Sequence, residues 1–174
     1  MLLLKLILVV CLCYIAYEDI RSRTISLYAV VVFLGASLAY SFSMQKANDA
    51  LYAAMVNLII LAMQFAFTWL YFIVVRKHRR SFIDRSIGMG DIIFYIPVLF
   101  LFSPLNFLFI HIASLLFVLT AFALYTAAVR RIKTIPLAGG ISVFLLIVLG
   151  AAWLHKPAML YDDMLLGDIL YAFS

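Results

Sequence analysis

The stretch that decides the fold of this chain is residues 51–80, with the sequence LYAAMVNLIILAMQFAFTWLYFIVVRKHRR. The part from Leu51 to Val75 contains no Lys, Arg, Asp or Glu, whereas the part from Arg76 to Arg80 is strongly basic. A helix needs about 20 apolar residues to cross a bilayer, and basic loops favour its cytoplasmic side. This stretch therefore predicts a transmembrane helix that ends in a cytoplasmic loop.

The composition of the whole chain agrees with this local signal. Of its 174 residues, 68% are hydrophobic and 12% are charged, and the mean hydropathy is +1.17. An ordinary soluble domain is about half apolar and about a quarter charged. The composition therefore excludes a soluble domain and a disordered chain. The net charge of +5 lies in short loops of a membrane chain, so we expect no nucleic-acid partner.

Further apolar runs of near-bilayer length are separated by polar or basic loops. We predict an all-α, polytopic membrane protein, a six-helix transmembrane bundle occupying residues 1–154. The predicted spans cover residues 2–17, 25–42, 51–75, 88–103, 107–129 and 135–154.

The basic residues alternate between the two sides of these spans. Ten of the thirteen Lys and Arg residues follow the first, third and fifth spans, whereas Lys5, Lys46 and Lys156 lie on the other side. This asymmetry predicts a multi-pass protein of the cell inner (cytoplasmic) membrane with both termini extracytoplasmic. Residues 155–174 alternate apolar and acidic residues at helical spacing, which predicts an extracytoplasmic amphipathic tail.

Two acidic residues stand at the edges of predicted spans. Asp19 ends the first span and Asp91 lies about one turn into the fourth, so the topology assigns both to the same membrane face. Acids in such positions are costly and point to function. Two carboxyl groups in a poorly hydrated site repel, so one holds a proton while the other is ionised. Such a pair supplies an acid and a base.

Asp91 closes the motif Gly88-Met89-Gly90-Asp91. Glycines beside a carboxyl group let an extended substrate backbone approach it without a Cβ in the way. Glycines also assist helix packing in membranes, which is the alternative interpretation of Gly88 and Gly90.

The motif resembles the GxGD motif of intramembrane aspartyl peptidases. The segment Asp19-Ile20-Arg21-Ser22-Arg23-Thr24-Ile25 is similar to the first-aspartate segment of type IV prepilin peptidases, and Ile135-Pro136 to the element that opens that family's last helix. The sequence departs from the family pattern at Ser26-Leu27 and at Gly139-Gly140. Since no methyltransferase region precedes the first span, the chain resembles the short, peptidase-only members.

The resemblance implies an aspartic endopeptidase of type IV pilus assembly or protein secretion. Its catalytic residues would be Asp19 and Asp91, with Gly88 and Gly90 as supporting motif residues. It would hydrolyse the short leader of prepilin-like protein substrates at the cytoplasmic face of the lipid bilayer. The mechanism needs no cofactor and no metal, and the three histidines are too scattered to form a metal site. The oligomeric state does not follow from the sequence.

Other functions are compatible with the same residues. Two intramembrane acids also suit a small transporter or ion relay, and the chain could be a non-catalytic scaffold of a secretion or pilus apparatus. A signal-peptide-peptidase-like protease shares the GxGD motif, but the chain is short for that group. For Asn57 and Gln64, which share a face of the third span, we expect hydrogen bonds between helices.

Overall fold

The computed structural model describes residues 1–76, 89–128, 136–155 and 157–163. In these ranges the chain forms six α-helices and a short 3-10 helix at Pro157–Leu160. The predicted all-helical class is confirmed for this part of the chain. The helices are α1 (Leu2–Ser22), α2 (Leu27–Met44), α3 (Ala47–Arg76), α4 (Met89–Val98), α5 (Pro104–Ala128) and α6 (Leu137–His155).

Four of these helices, α2, α3, α5 and α6, are long and apolar enough to cross a membrane. Helix α1 has sufficient length but carries Lys5, Glu18, Asp19 and Arg21. Helix α4 is shorter than the predicted span, because its 10 residues extend only about 15 Å. It contains Pro97 in its last turn, where proline interrupts the backbone hydrogen-bond ladder. The described residues thus show four candidate spans, and the bundle of six stays a prediction.

The helices pack around α1, α2 and α6. Helix α1 lies between α2 and α6, α5 covers the other side of α6, and α4 packs mainly on α2. Helix α3 completes the bundle by packing on α5. The core is closed by fully buried aromatic side chains, among them Phe33 and Phe94, whose rings stack with centroids 6.0 Å apart.

The surface of the bundle is apolar as well. On α1, for example, Leu3, Leu6 and Val10 are more than half exposed, while Leu8, Leu12 and Ile15 are fully buried. A water-soluble protein rarely exposes such large continuous apolar patches. This surface is suited to lipid, in agreement with a membrane protein.

The part of the C-terminal tail that the structure describes, residues 157–163, folds onto the bundle. Leu160 is buried, and the Asn106 side-chain amide donates to the carbonyl oxygens of Met159, Leu160 and Asp162 at 2.8–3.2 Å. This portion of the predicted tail therefore packs on the bundle, and the predicted division of the chain at residue 154 stays a prediction. Residues 164–174 lie outside the described residues, so the amphipathic helix stays a prediction there.

The bundle has two distinct ends. We call the end that holds Asp19 and Asp91 the aspartate end, and the end that holds Ser103 and Leu160, whose backbones are hydrogen bonded at 2.9 Å, the tail end. Arg21 and Arg23 lie at the aspartate end, where α1 finishes.

Candidate active site

Asp19 lies on the face of α1 that packs into the bundle. The buried positions of α1 are Leu8, Cys11, Leu12, Ile15, Ala16 and Asp19. This spacing of three and four residues marks one face of an α-helix, and Asp19 continues it by one turn. Only 7% of Asp19 is exposed. The apolar packing of α1 therefore draws the carboxyl group into the bundle.

The Asp19 carboxyl group is held by the first turn of α6. The Gly139 backbone N–H donates to Asp19 Oδ2 at 2.6 Å. Helix α6 starts after Pro136, whose carbonyl oxygen accepts from the Gly140 N–H at 3.0 Å, so the N–H of Gly139 has no acceptor within its own helix. Asp19 thus caps α6 from a different helix, and the positive end of the α6 dipole favours a negative charge there.

Two consecutive glycines make this approach possible. A Cβ on Gly139 would lie 3.1 Å from Asp19 Oδ2 and 3.1 Å from Ile20 Cγ1. A Cβ on Gly140 would lie 2.6 Å from Val118 Cγ2 of α5, too close without a shift of one helix. The absence of a Cβ on Gly139 therefore leaves room for α1, and its absence on Gly140 leaves room for α5. The glycine pair brings three helices together beside Asp19.

The connection between α1 and α2 fixes the last turn of α1. Arg23 ends the helix with φ 59°, a left-handed conformation that is uncommon outside glycine, and its N–H donates to the Asp19 carbonyl oxygen at 3.1 Å. The Glu18 carboxylate accepts from the Ser26 N–H and from the Tyr14 hydroxyl, both at 2.9 Å. Glu18 therefore stabilises this connection, whereas its neighbour Asp19 faces the interior.

Asp91 lies in the first turn of α4 and is half-buried. The preceding Gly90 adjoins the α1–α2 connection, since a Cβ on Gly90 would lie 3.4 Å from Ile25 Cδ1, an ordinary contact distance. Asp91 also lines a cavity together with Leu137, the first residue of α6. Gly88 lies outside the described residues.

The two predicted catalytic acids are therefore at the same end of the bundle. Asp19 is bonded to Gly139 in the first turn of α6, and Asp91 shares a cavity with Leu137 of the same turn. Both carboxyl groups also lie at the N-terminus of a helix, where a negative charge is favoured.

Three further polar residues share a cavity with Asp91, and the sequence analysis does not predict this grouping. Tyr95, His111 and Gln64 line the same cavity, and His111 Nε2 is hydrogen bonded to Gln64 Oε1. The expected interhelical bonding of Gln64 is confirmed by this contact. Asn57 bonds instead to the connection between α4 and α5, since its amide donates to the carbonyl oxygens of Leu99 and Phe102 at 2.9 and 3.0 Å.

An apolar groove of about 420 Å³ lies between the end of α1, helix α5 and the start of α6. It is bounded by Ile20 and Arg23 of the α1 end, by residues of α5, and by Pro136 and Gly140. Ile20 and Gly140 directly follow Asp19 and Gly139 in the chain. The groove therefore lies beside the contact of Asp19 with Gly139, and its mostly apolar walls are suited to an apolar chain.

Neither the candidate acids nor the histidines form a metal site in the described residues, which contain no group of three His, Cys, Asp or Glu side chains able to hold a metal ion. The arrangement can instead perform proton transfer between carboxyl groups and water.

Comparisons of the chain with protein-family models, with curated proteins and with solved structures find no match.

Proposed function

We propose that the chain is a membrane-embedded aspartyl endopeptidase that removes the short leader of prepilin-like substrates. In this proposal Asp19 and Asp91 are the catalytic pair, and Gly88 and Gly90 leave room for the substrate backbone. The chain would lie in the cytoplasmic membrane as six spans, with the aspartate end at the cytoplasmic face and both termini extracytoplasmic.

The observation that carries the proposal is the position of the two acids. Asp19 and Asp91 are 72 residues apart in the sequence. At one end of an apolar bundle, Asp19 is hydrogen bonded to the first turn of α6, and Asp91 lines a cavity together with Leu137 of that turn. Carboxyl groups are costly in such surroundings unless they are bonded or used. Two of them at one membrane face, one next to Gly90, supply the acid and base that amide hydrolysis requires.

The chemistry uses these two groups and one water molecule. The ionised aspartate takes a proton from water while the oxygen attacks the scissile carbonyl carbon, and the protonated aspartate donates a hydrogen bond to the carbonyl oxygen. The proton then passes to the amide nitrogen, the C–N bond breaks, and a new carboxylate and amine are released. No covalent enzyme intermediate is formed, and the pair returns to its singly protonated state.

The apolar groove of about 420 Å³ supports a substrate with an apolar helix after the cleavage site. Because the groove starts beside Asp19, a helix seated there would hold the preceding backbone at the aspartate pair. Arg23 at its rim and Arg21 in the last turn of α1 would lie at the level of lipid headgroups.

The direct test is cleavage of a synthetic prepilin-like substrate by the purified protein in liposomes. The substrate has a short basic leader followed by an apolar helix, and its matched control has the same helix without the leader. We expect mass spectrometry to detect one cut just ahead of the helix in the first substrate and none in the control. An intact substrate in the presence of folded protein would contradict the proposal.

The second candidate is an ion relay, which is favoured by the polar residues beside Asp91. Gln64, His111 and Tyr95 extend from Asp91 into the bundle, as a proton path does. A relay predicts that liposomes containing the protein dissipate an imposed pH gradient and that Asp91→Asn abolishes the flux. A peptidase predicts cleavage without such flux.

A further inference from the structure

A cavity of about 120 Å³ lies inside the bundle beside Asp91. It is enclosed by side chains of α3, α4 and α5 and by the first residue of α6. Its lining residues are Gln64, Phe65, Thr68, Asp91, Tyr95, His111, Leu115 and Leu137. Five of these eight carry polar groups, which is unusual for the interior of a bundle in lipid.

Two polar atoms of its lining residues have no hydrogen-bond partner among the described residues. They are the Tyr95 hydroxyl and His111 Nδ1. Tyr95 is 3% exposed and His111 is 5% exposed, so neither group is hydrated from the outer surface. Buried polar atoms in proteins are nearly always hydrogen bonded, if not to protein then to an internal water.

The two atoms are complementary. His111 Nε2 faces the amide oxygen of Gln64, an acceptor, so Nε2 carries the proton of the neutral ring and Nδ1 accepts. The Tyr95 hydroxyl donates. The two rings touch, with centroids 5.1 Å apart. One water molecule can accept from Tyr95 and donate to His111, which satisfies both atoms at once.

The cavity has room for such water. Its volume of about 120 Å³ corresponds to about four water molecules at about 30 Å³ each. It also reaches the candidate active site, because Tyr95 lies one helical turn after Asp91 on the same face of α4 and both residues line it.

We propose that this cavity is a water-binding chamber, in which Tyr95 and His111 hold water next to the Asp91 carboxyl group. Its use rests on the proposed function: the chamber would supply the water that leader hydrolysis consumes. Tyr95 and His111 would then be positioning residues, since they act on the water and not on the substrate, while Gln64 fixes the ring of His111.

The presence of water is tested without any substrate. A brief X-ray pulse produces hydroxyl radicals from water in place, and these oxidise the side chains that water touches. The matched control is Tyr40, which is fully buried and whose hydroxyl accepts from Trp153 Nε1 at 2.8 Å. We expect Tyr95 and His111 to be oxidised severalfold faster than Tyr40. Equal protection of Tyr95, His111 and Tyr40 would mean a dry cavity and would overturn the proposal.

The positioning role is tested by removal of one hydroxyl group. Tyr95→Phe should lower the oxidation of His111 severalfold. It should also reduce kcat for leader cleavage about tenfold, less than the roughly 10²–10⁴-fold effect of a group that itself transfers the proton, with KM unchanged. Tyr40→Phe removes the hydroxyl of an equally buried tyrosine at the tail end and should leave kcat within about twofold of that of the unaltered protein. Cleavage by Tyr95→Phe at the unaltered rate would overturn the positioning role.

The two arms separate this inference from the proposed function. If Tyr95 and His111 are oxidised but the unaltered protein cleaves no prepilin-like substrate, the water chamber is supported and the peptidase function fails. If the substrate is cleaved but both residues are as protected as Tyr40, the peptidase function stands and the chamber is wrong.

Discussion

Replacement of Gly139 by alanine tests the contact that holds Asp19 against α6. The added Cβ would lie 3.1 Å from Asp19 Oδ2, 3.1 Å from Ile20 Cγ1 and 3.2 Å from Asp19 Cβ. These distances require α1 and α6 to separate by a few tenths of an ångström. The separation would lengthen the 2.6 Å hydrogen bond from the Gly139 N–H, because both contacts lie on the same side of the helix.

Three effects decide the size of the change, two of them destabilising and one stabilising. Overpacking in a close contact costs about 1–3 kcal/mol, and loss of a hydrogen bond to a charged group costs about 1.5–3 kcal/mol. Alanine in place of glycine stabilises a helix by up to about 1 kcal/mol. If the hydrogen bond is weakened but not lost, we expect Gly139→Ala to lower the free energy of unfolding by about 1–3 kcal/mol.

The matched control is Gly150→Ala in the same helix. A Cβ on Gly150 would meet no atom within 4 Å, so this variant should be neutral or more stable by up to about 1 kcal/mol. Thermal unfolding of both purified variants in one detergent measures the difference. Leader cleavage should fall about tenfold or more for Gly139→Ala, because a small displacement of a catalytic group lowers the rate strongly, and should be unchanged for Gly150→Ala. Equal stability and activity of the two variants would refute the packing of Asp19 on α6.

Three further predictions follow from the site and the topology. Gly90→Ala should lower the cleavage rate strongly and the unfolding temperature little, because its Cβ makes an ordinary contact with Ile25 at 3.4 Å but occupies the space beside Asp91. A large loss of stability with little loss of activity would indicate a packing role for Gly90. Arg23→Cys and Lys46→Cys, each in a chain without the native cysteines, should react with an impermeant reagent from opposite membrane faces, and labelling of both from outside would contradict the topology. The rate of cleavage should have a bell-shaped pH profile, because the base must be ionised and the acid protonated. EDTA should not change the cleavage rate, and a loss of activity in EDTA that zinc restores would indicate a metal enzyme.

The sequence predicts the helices of this chain better than their packing. The bounds of most helices agree with the predicted apolar runs to within about one turn, because charged and polar loops interrupt them clearly. Yet every face of these helices is apolar, since lipid is as apolar as the core, so hydrophobic periodicity does not identify the face that packs.

The residues that the sequence did not connect are those brought together by this packing. Asp19 and Gly139 are 120 positions apart, and a glycine pair in an apolar run gives no indication of its partner. The pairing of Gln64 with His111 spans 47 positions and also depends on the packing of α3 on α5. Of the residues near Asp91, only Tyr95 could have been linked to it from the sequence, because a residue four positions after Asp91 lies on the same face of a helix.

The proposed hydrolysis requires one of the two carboxyl groups to act as an acid and the other as a base. The measurement that tests it most directly is leader cleavage by Asp19→Asn and by Asp91→Asn, with Glu18→Gln as the matched control. Asparagine retains an acceptor for the Gly139 N–H, so Asp19→Asn should still fold. In Glu18→Gln the amide oxygen can accept from the Ser26 N–H and the amide NH2 can donate to the Tyr14 hydroxyl oxygen. We predict that each asparagine variant accumulates in the membrane but cleaves at least about 100-fold more slowly, while Glu18→Gln stays within a few-fold of the unaltered protein. Near-normal cleavage by either asparagine variant would contradict the account.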